Sequence, residues 1–129
     1  MLRLARELRR ETEQFGITSR QATLLALVRA LPDASLSDLA AEEGISTAAL
    51  SGHVDRLVRR GLVERRRSDV DRRRVGLELT DDGARVLRSV RERRTAWLAQ
   101  RLGRLDRGEL VAIERSLPAL LDLAGEHRA

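Results

Sequence analysis

Leucines at Leu4 and Leu8, set among arginines and glutamates, predict an amphipathic helix over residues 1–15, with Gly16 free to close it in a left-handed C-cap. Thr18 and Gln21 make a capping box for a second helix through Leu24, Leu25, Leu27 and Val28, stopped at Pro32. Ser35 to Glu43 reads as a short helix with Leu36, Leu39 and Ala40 inward and Gly44 at its end. Ser46 then offers an N-cap, and Leu50, Val54, Leu57 and Val58 recur at i, i+4, i+7 and i+8, one buried stripe on a fourth helix ended by Gly61. The period then changes. Leu62–Arg65 and Val75–Leu79 alternate as strands do, with an arginine-rich stretch between them, so they predict a hairpin with a polar tip. Thr80 caps a long helix to about Leu102, with Leu87, Val90, Trp97, Leu98 and Leu102 at three- and four-residue steps. Asp106 and Glu109 form another capping box for a last helix, within which Pro118 is expected to cause a kink or a break.

Composition narrows what this arrangement can be. One domain fits 129 residues, and cysteine is absent, which excludes disulfides, thiolate metal sites and a thiol switch. No apolar run reaches the roughly 20 residues that span a bilayer, and the N-terminus lacks the apolar centre of a signal peptide, so no membrane association and a cytoplasmic location are expected. Net charge is +5 and every basic residue is arginine. The distribution says more than the total. Residues 31–50 carry four acids and no base, whereas Arg65, Arg66, Arg67, Arg72, Arg73 and Arg74 crowd ten positions that hold only two acids, Asp69 and Asp71. A basic patch beside an acidic stretch makes a polarised surface.

Two helices joined at Gly44-Ile45-Ser46, the second with small polar residues outward, describe a helix-turn-helix. Ala40 lets the helices cross closely, and Leu50 and Val54 lock the second against the first. Away from that stripe a helical projection places Ala48, Ser51, Gly52, Asp55, Arg56 and Arg59. Small side chains at Thr47, Ala48, Ser51 and Gly52 would let this helix sit deep in a major groove, where hydroxyls meet base edges and alanine a thymine methyl. Glu43 departs from the pattern, since the residue before the turn glycine is usually apolar. An arginine-tipped hairpin after such a helix adds minor-groove and phosphate contacts.

The run Leu39-Ala40, Gly44-Ile45-Ser46, Leu50-Ser51, Val54-Asp55-Arg56-Leu57, Arg60-Gly61-Leu62-Val63, Asp69, Asp71-Arg72-Arg73 and Leu79-Thr80-Asp81-Asp82-Gly83 resembles the MarR family of winged-helix transcriptional regulators. The similarity runs from Gly16-Ile17-Thr18 to the last helix, and its most specific part is the wing followed by Leu79-Thr80 and Gly83. It implies a mainly α fold with a small β-hairpin wing, one domain over residues 1–129. Residues 1–17 and 81–129 would be dimerisation helices and 18–80 a winged helix-turn-helix lobe. By that resemblance Ser46, Thr47, Ala48, Ser51, Gly52 and Arg56 fall on the recognition helix, and Ser37 falls where a phosphate contact is usual. Arg72 and Arg73 fall at the wing tip, with Asp71 at the acidic position that braces it. Gly52 stands where relatives often carry arginine or another long polar residue, so the resemblance implies one direct base contact fewer and a specificity that leans on the wing and on DNA shape.

The implied partners are double-stranded DNA bearing a pseudo-palindromic operator, a second copy of the chain as homodimer, and a small-molecule effector that releases a repressor. Aromatic content of 2% supplies little for an effector that stacks. No cofactor or metal is expected: His53 and His127 are far apart, and no Ser-His-Asp set or glycine-rich phosphate loop appears. Two other readings remain open at this point: a winged-helix protein–protein interaction module, favoured by Gly52 and the acidic 31–50 segment, and a nonspecific architectural DNA-binding protein.

Overall fold

The computed structural model describes residues 2–67 and 74–125, and Asp71, Arg72, Arg73 and His127 lie outside that range. Six helices and one hairpin follow in the predicted order: α1 (Leu2–Glu13), α2 (Ser19–Ala30), α3 (Leu36–Glu43), α4 (Thr47–Arg59), β1 (Val63–Arg67), β2 (Val75–Leu79), α5 (Asp81–Leu102) and α6 (Arg107–Leu123). The chain divides into two compact units, Met1–Arg94 and Thr95–Ala129, the boundary falling within α5. Among the described residues no helix is long and apolar enough to cross a membrane.

The first unit owns the core. Leu24, Leu25, Leu39, Leu50, Val54 and Leu57 from α2, α3 and α4 meet Val63 and Leu77 of the hairpin and Leu87 and Val90 of α5, all buried. The expected stripe on α4 is therefore the inward one. Both expected capping boxes form, at Thr18–Gln21 and Asp106–Glu109, and Ser35 and Asp38 make a third at the start of α3. On α1 the buried residue is Thr12, while Leu4 stays exposed. Thr12 Oγ1 donates to Leu8 O at 3.1 Å and accepts from Arg94 Nε at 2.8 Å, so α1 is tied to α5 by a hydroxyl. Arg93 Nε adds an ion pair to Glu11 at 2.6 Å.

The hairpin is antiparallel with Val63 opposite Leu79 and Arg67 opposite Val75. The first strand starts one residue later than the sequence pattern predicts and runs two residues further, through Arg67. Its outer residues are solvated on both faces and so lack the apolar alternation by which a strand is recognised. An isolated bridge between Ser35 and Gly76 joins the hairpin to the start of α3.

In the second unit α6 is capped by Asp106 and continues through Pro118 as a single helix, so of the kink or break that the sequence predicts there, the break does not occur. Proline removes one backbone donor, and every residue of α6 is exposed, so the carbonyl left free there can turn to water. Leu110, Ile113, Leu117, Leu120 and Leu121 all lie exposed on this helix. Trp97 is half-buried beneath the Arg101 guanidinium, whose carbon lies 4.7 Å from the ring centroid.

Candidate nucleic-acid interface

The turn that aims α4 is built by backbone geometry. Gly44 takes φ 65° and ψ 31°, a left-handed conformation that ends α3, and Ile45 N donates to Ala40 O at 3.1 Å. Two residues later Ser46 restarts the chain as a helix, its Oγ accepting from Ala49 N at 3.1 Å. The Ser46 hydroxyl, a predicted DNA contact, is therefore also the cap of α4. Glu43, the departure just before the turn, is half-buried, with Arg20 of α2 at 4.0 Å beside its carboxylate. That arginine supplies the charge an apolar residue would not have needed.

Across the outer face of α4, Thr47, Ala48, Gly52 and Arg56 are exposed and Ser51 is half-buried, which brings the predicted reading residues together on one surface. Ser37 is exposed in the first turn of α3. Among the described residues His53 Nδ1, which is buried, finds no hydrogen-bond partner, and no cluster of histidine and acids could hold a metal.

Two ion pairs that sequence periodicity does not reveal join the hairpin to α4 and α3, and a third lies within it. Asp55 of α4 takes a hydrogen bond from Arg65 of β1, an attachment between α4 and the hairpin. The Arg65 guanidinium, and Arg59 behind it, hold the Asp55 carboxyl below the usual carboxylate range. Arg74, just before β2, donates to Asp38 Oδ2 at 2.8 Å. The Asp38 carboxyl is also held low, first by the Ser35 backbone and hydroxyl hydrogen bonds and then by Arg74. Within the hairpin Arg66 pairs with Glu78 at 3.2 Å. Spacing offers a partial signal: the Ser35-x-x-Asp38 box is readable, and Asp55 projects outward, but nothing local says which arginine each acid meets.

The root of the hairpin is closed by Thr80. Its N donates to Leu62 O at 3.1 Å and its Oγ1 to Gly61 O at 2.5 Å, while Gly83 N donates to Thr80 Oγ1 at 3.0 Å. Gly83 lies against the Leu62 backbone so closely that a Cβ there would fall 1.9 Å from Leu62 O. The glycine in the most specific part of the motif thus has a packing reason: the start of α5 and the start of the wing need its bare backbone.

Comparison with known proteins agrees with this geometry. Residues 17–75 match the model of the family described as the MarR family. The chain is 25% identical over 126 residues to an uncharacterized HTH-type transcriptional regulator of Mycobacterium bovis, Mb0904, covering 98% of this chain and 88% of that one. The crystal structure of RV1404 from Mycobacterium tuberculosis shares the fold with a TM-score of 0.87 at 28% identity, over 98% of this chain and 87% of its own. Streptococcus pneumoniae FabT, solved in complex with DNA, shares it with a TM-score of 0.73 at 23% identity, over 85% of this chain and 77% of its own.

Proposed function

This chain belongs to the MarR family of winged helix-turn-helix transcriptional regulators, which are not enzymes, and from that premise we propose that it works as a homodimer reading a pseudo-palindromic duplex and repressing the adjoining promoter. The observation that carries the reading is the outer face of α4: a capped helix with Thr47, Ala48, Gly52 and Arg56 exposed, fastened through Asp55 to an arginine-bearing wing. Ser46, Thr47, Ala48, Ser51, Gly52 and Arg56 would face the major groove, Ser37 a phosphate, and Arg72 and Arg73 the minor groove with Asp71 bracing them. FabT, which shares the fold, is a protein solved with DNA. Exposed leucines along α6 supply the apolar surface a second copy would cover, and α1 with α5 and α6 would form the dimerisation region. Two reading helices related by the dimer axis would enter grooves roughly 34–36 Å apart.

The test is selection of bound duplexes from a random pool by the purified protein, with sedimentation at micromolar concentration alongside. An enriched palindrome bound by a dimer is the expected result. Salt-sensitive binding without enrichment would favour the architectural reading, and no binding, or a persistent monomer, would overturn the proposal.

Release by a small molecule has one feature in its support. A cavity of about 600 Å³ opens beneath the hairpin, with Val28 and Arg29 of α2, Ala34, and Arg74, Leu77 and Leu79 among its walls. A ligand seated there would prefer one attitude of the wing and would weaken DNA binding only by its differential affinity for the two states. Ligands that raise the melting temperature and lower operator affinity are expected, with both effects lost in an Ala34→Trp variant that melts like the parent. Effects that survive that substitution would put the effector elsewhere.

A further inference from the structure

We infer that the bare backbone at Gly52 is a notch that selects a thymine methyl group in each operator half-site, so that the missing side chain itself determines sequence preference. The inference rests on the DNA-reading function proposed above. Glycine is required where φ is positive or where a neighbour leaves no room for a Cβ, as at Gly44 and Gly83. Gly52 meets neither condition. It lies in the middle of α4 with no positive φ, and a Cβ built on it would find no atom within 4 Å. Alanine would fit and would strengthen the helix, so among the described residues no contact or backbone conformation requires glycine there.

Its surroundings say what the gap can receive. Gly52 is exposed one turn after Ala48 and one turn before Arg56, and all three lie on the surface away from the buried stripe of Leu50, Val54 and Leu57. The helix surface is therefore lowest at Gly52, with alanine on one side and a long cation on the other. Of the groups lining a major groove, the thymine C5-methyl is the apolar one, and an Ala-Gly depression with no polar side chain offers it contact without asking for a hydrogen bond. Arg56 beyond it can reach a phosphate or a purine edge once the helix has settled to that depth.

The experiment uses the full-length protein and the duplex it selects from a random pool. Each thymidine of the half-site is replaced in turn by deoxyuridine, which deletes only the methyl group, and each duplex is titrated with the parent and with Gly52→Ala. At one position the parent should lose about fourfold, the transfer free energy of a buried methyl group. Gly52→Ala should lose about tenfold or more on the thymidine duplex, as overfilled contacts do. It should lose much less on the deoxyuridine duplex, because one methyl has moved from DNA to protein. Its unfolding midpoint should equal or exceed the parent's, which separates a binding defect from a folding one. Equal affinity of both proteins for the thymidine duplex, or equal losses on the two duplexes, would overturn the notch while leaving DNA reading intact. Failure of the parent to enrich any sequence would remove the reading function and the notch with it.

Discussion

Replacing Gly83 by alanine puts the close approach of the start of α5 to the start of the wing under direct test. The new Cβ would lie 1.9 Å from Leu62 O and 2.9 Å from Leu62 C, and both partners are backbone, so no side chain can swing aside. Reaching even 3.0 Å requires the start of the wing to move by about 1.1 Å from the start of α5. Overpacking of this kind costs roughly 1–3 kcal/mol. The shift also strains the hydrogen bond from Thr80 N to Leu62 O, now 3.1 Å, worth about 1 kcal/mol. Against these stands a helix-propensity gain of about 1 kcal/mol for alanine over glycine. The net expectation is a loss of about 2 kcal/mol, a large share of a typical domain's roughly 5–15 kcal/mol. Urea unfolding of parent and variant at one protein concentration is the assay, and with a slope of about 1–3 kcal/mol per molar the midpoint should fall by roughly 1 M. Gly52→Ala is the matched control, the same substitution in open space, and should gain about 1 kcal/mol. A Gly83→Ala protein as stable as the parent would refute the claim that this glycine lets wing and helix meet.

Three more outcomes follow from named contacts. Asp55→Asn deletes a negative charge from the helix proposed to face DNA, so simple electrostatics predicts tighter operator binding; loss of the Arg65 attachment predicts several-fold weaker binding, and a gain in titrations would show that this pair does not position the wing. Thr12→Val removes the hydroxyl that accepts from the half-buried Arg94 and should lower stability by on the order of 1–3 kcal/mol in chemical unfolding, with Thr12→Ser close to the parent; an unchanged valine variant would contradict the tie. The Asp38 carboxyl should titrate by NMR below its ordinary 3.8, so its stabilising contribution is present above that value and lost as pH falls through the folded midpoint. Arg74→Ala should raise that midpoint only part of the way, because the Ser35 hydrogen bonds act first, and a midpoint unmoved by Arg74→Ala would deny the pair.

What the sequence makes legible here is whatever is local. Capping boxes at Thr18 and Asp106, the left-handed Gly44 and the inward stripe of α4 are set by residues three to eight apart, and each stands where the pattern places it. The face of α4 is legible for the same reason, because one buried stripe fixes the opposite side. The polar contacts between elements distant in sequence are not. Arg74 meets Asp38 across 36 positions and Arg94 meets Thr12 across 82, distances at which hydrophobic period carries no information. The outer half of β1 was hidden because three arginines in a row look like a solvated tip whether or not they pair across a strand. Proline in α6 misleads in the other direction: the general cost of an interior proline is real, yet an exposed helix continues through it without a break.

The central claim, a dimer that reads DNA sequence with two copies of α4, is tested most directly by the phase of its half-sites. Affinity would be measured for the selected duplex, a scrambled control, and a version with 5 base pairs inserted between half-sites, at 50 and 200 mM salt. The account predicts strong preference over the scrambled control, loss of that preference on insertion of half a helical turn, and a fall of about 10³–10⁵-fold between the two salts if roughly 6–10 phosphates are neutralised. Affinity that ignores the insertion, or that treats selected and scrambled duplexes alike, would contradict it.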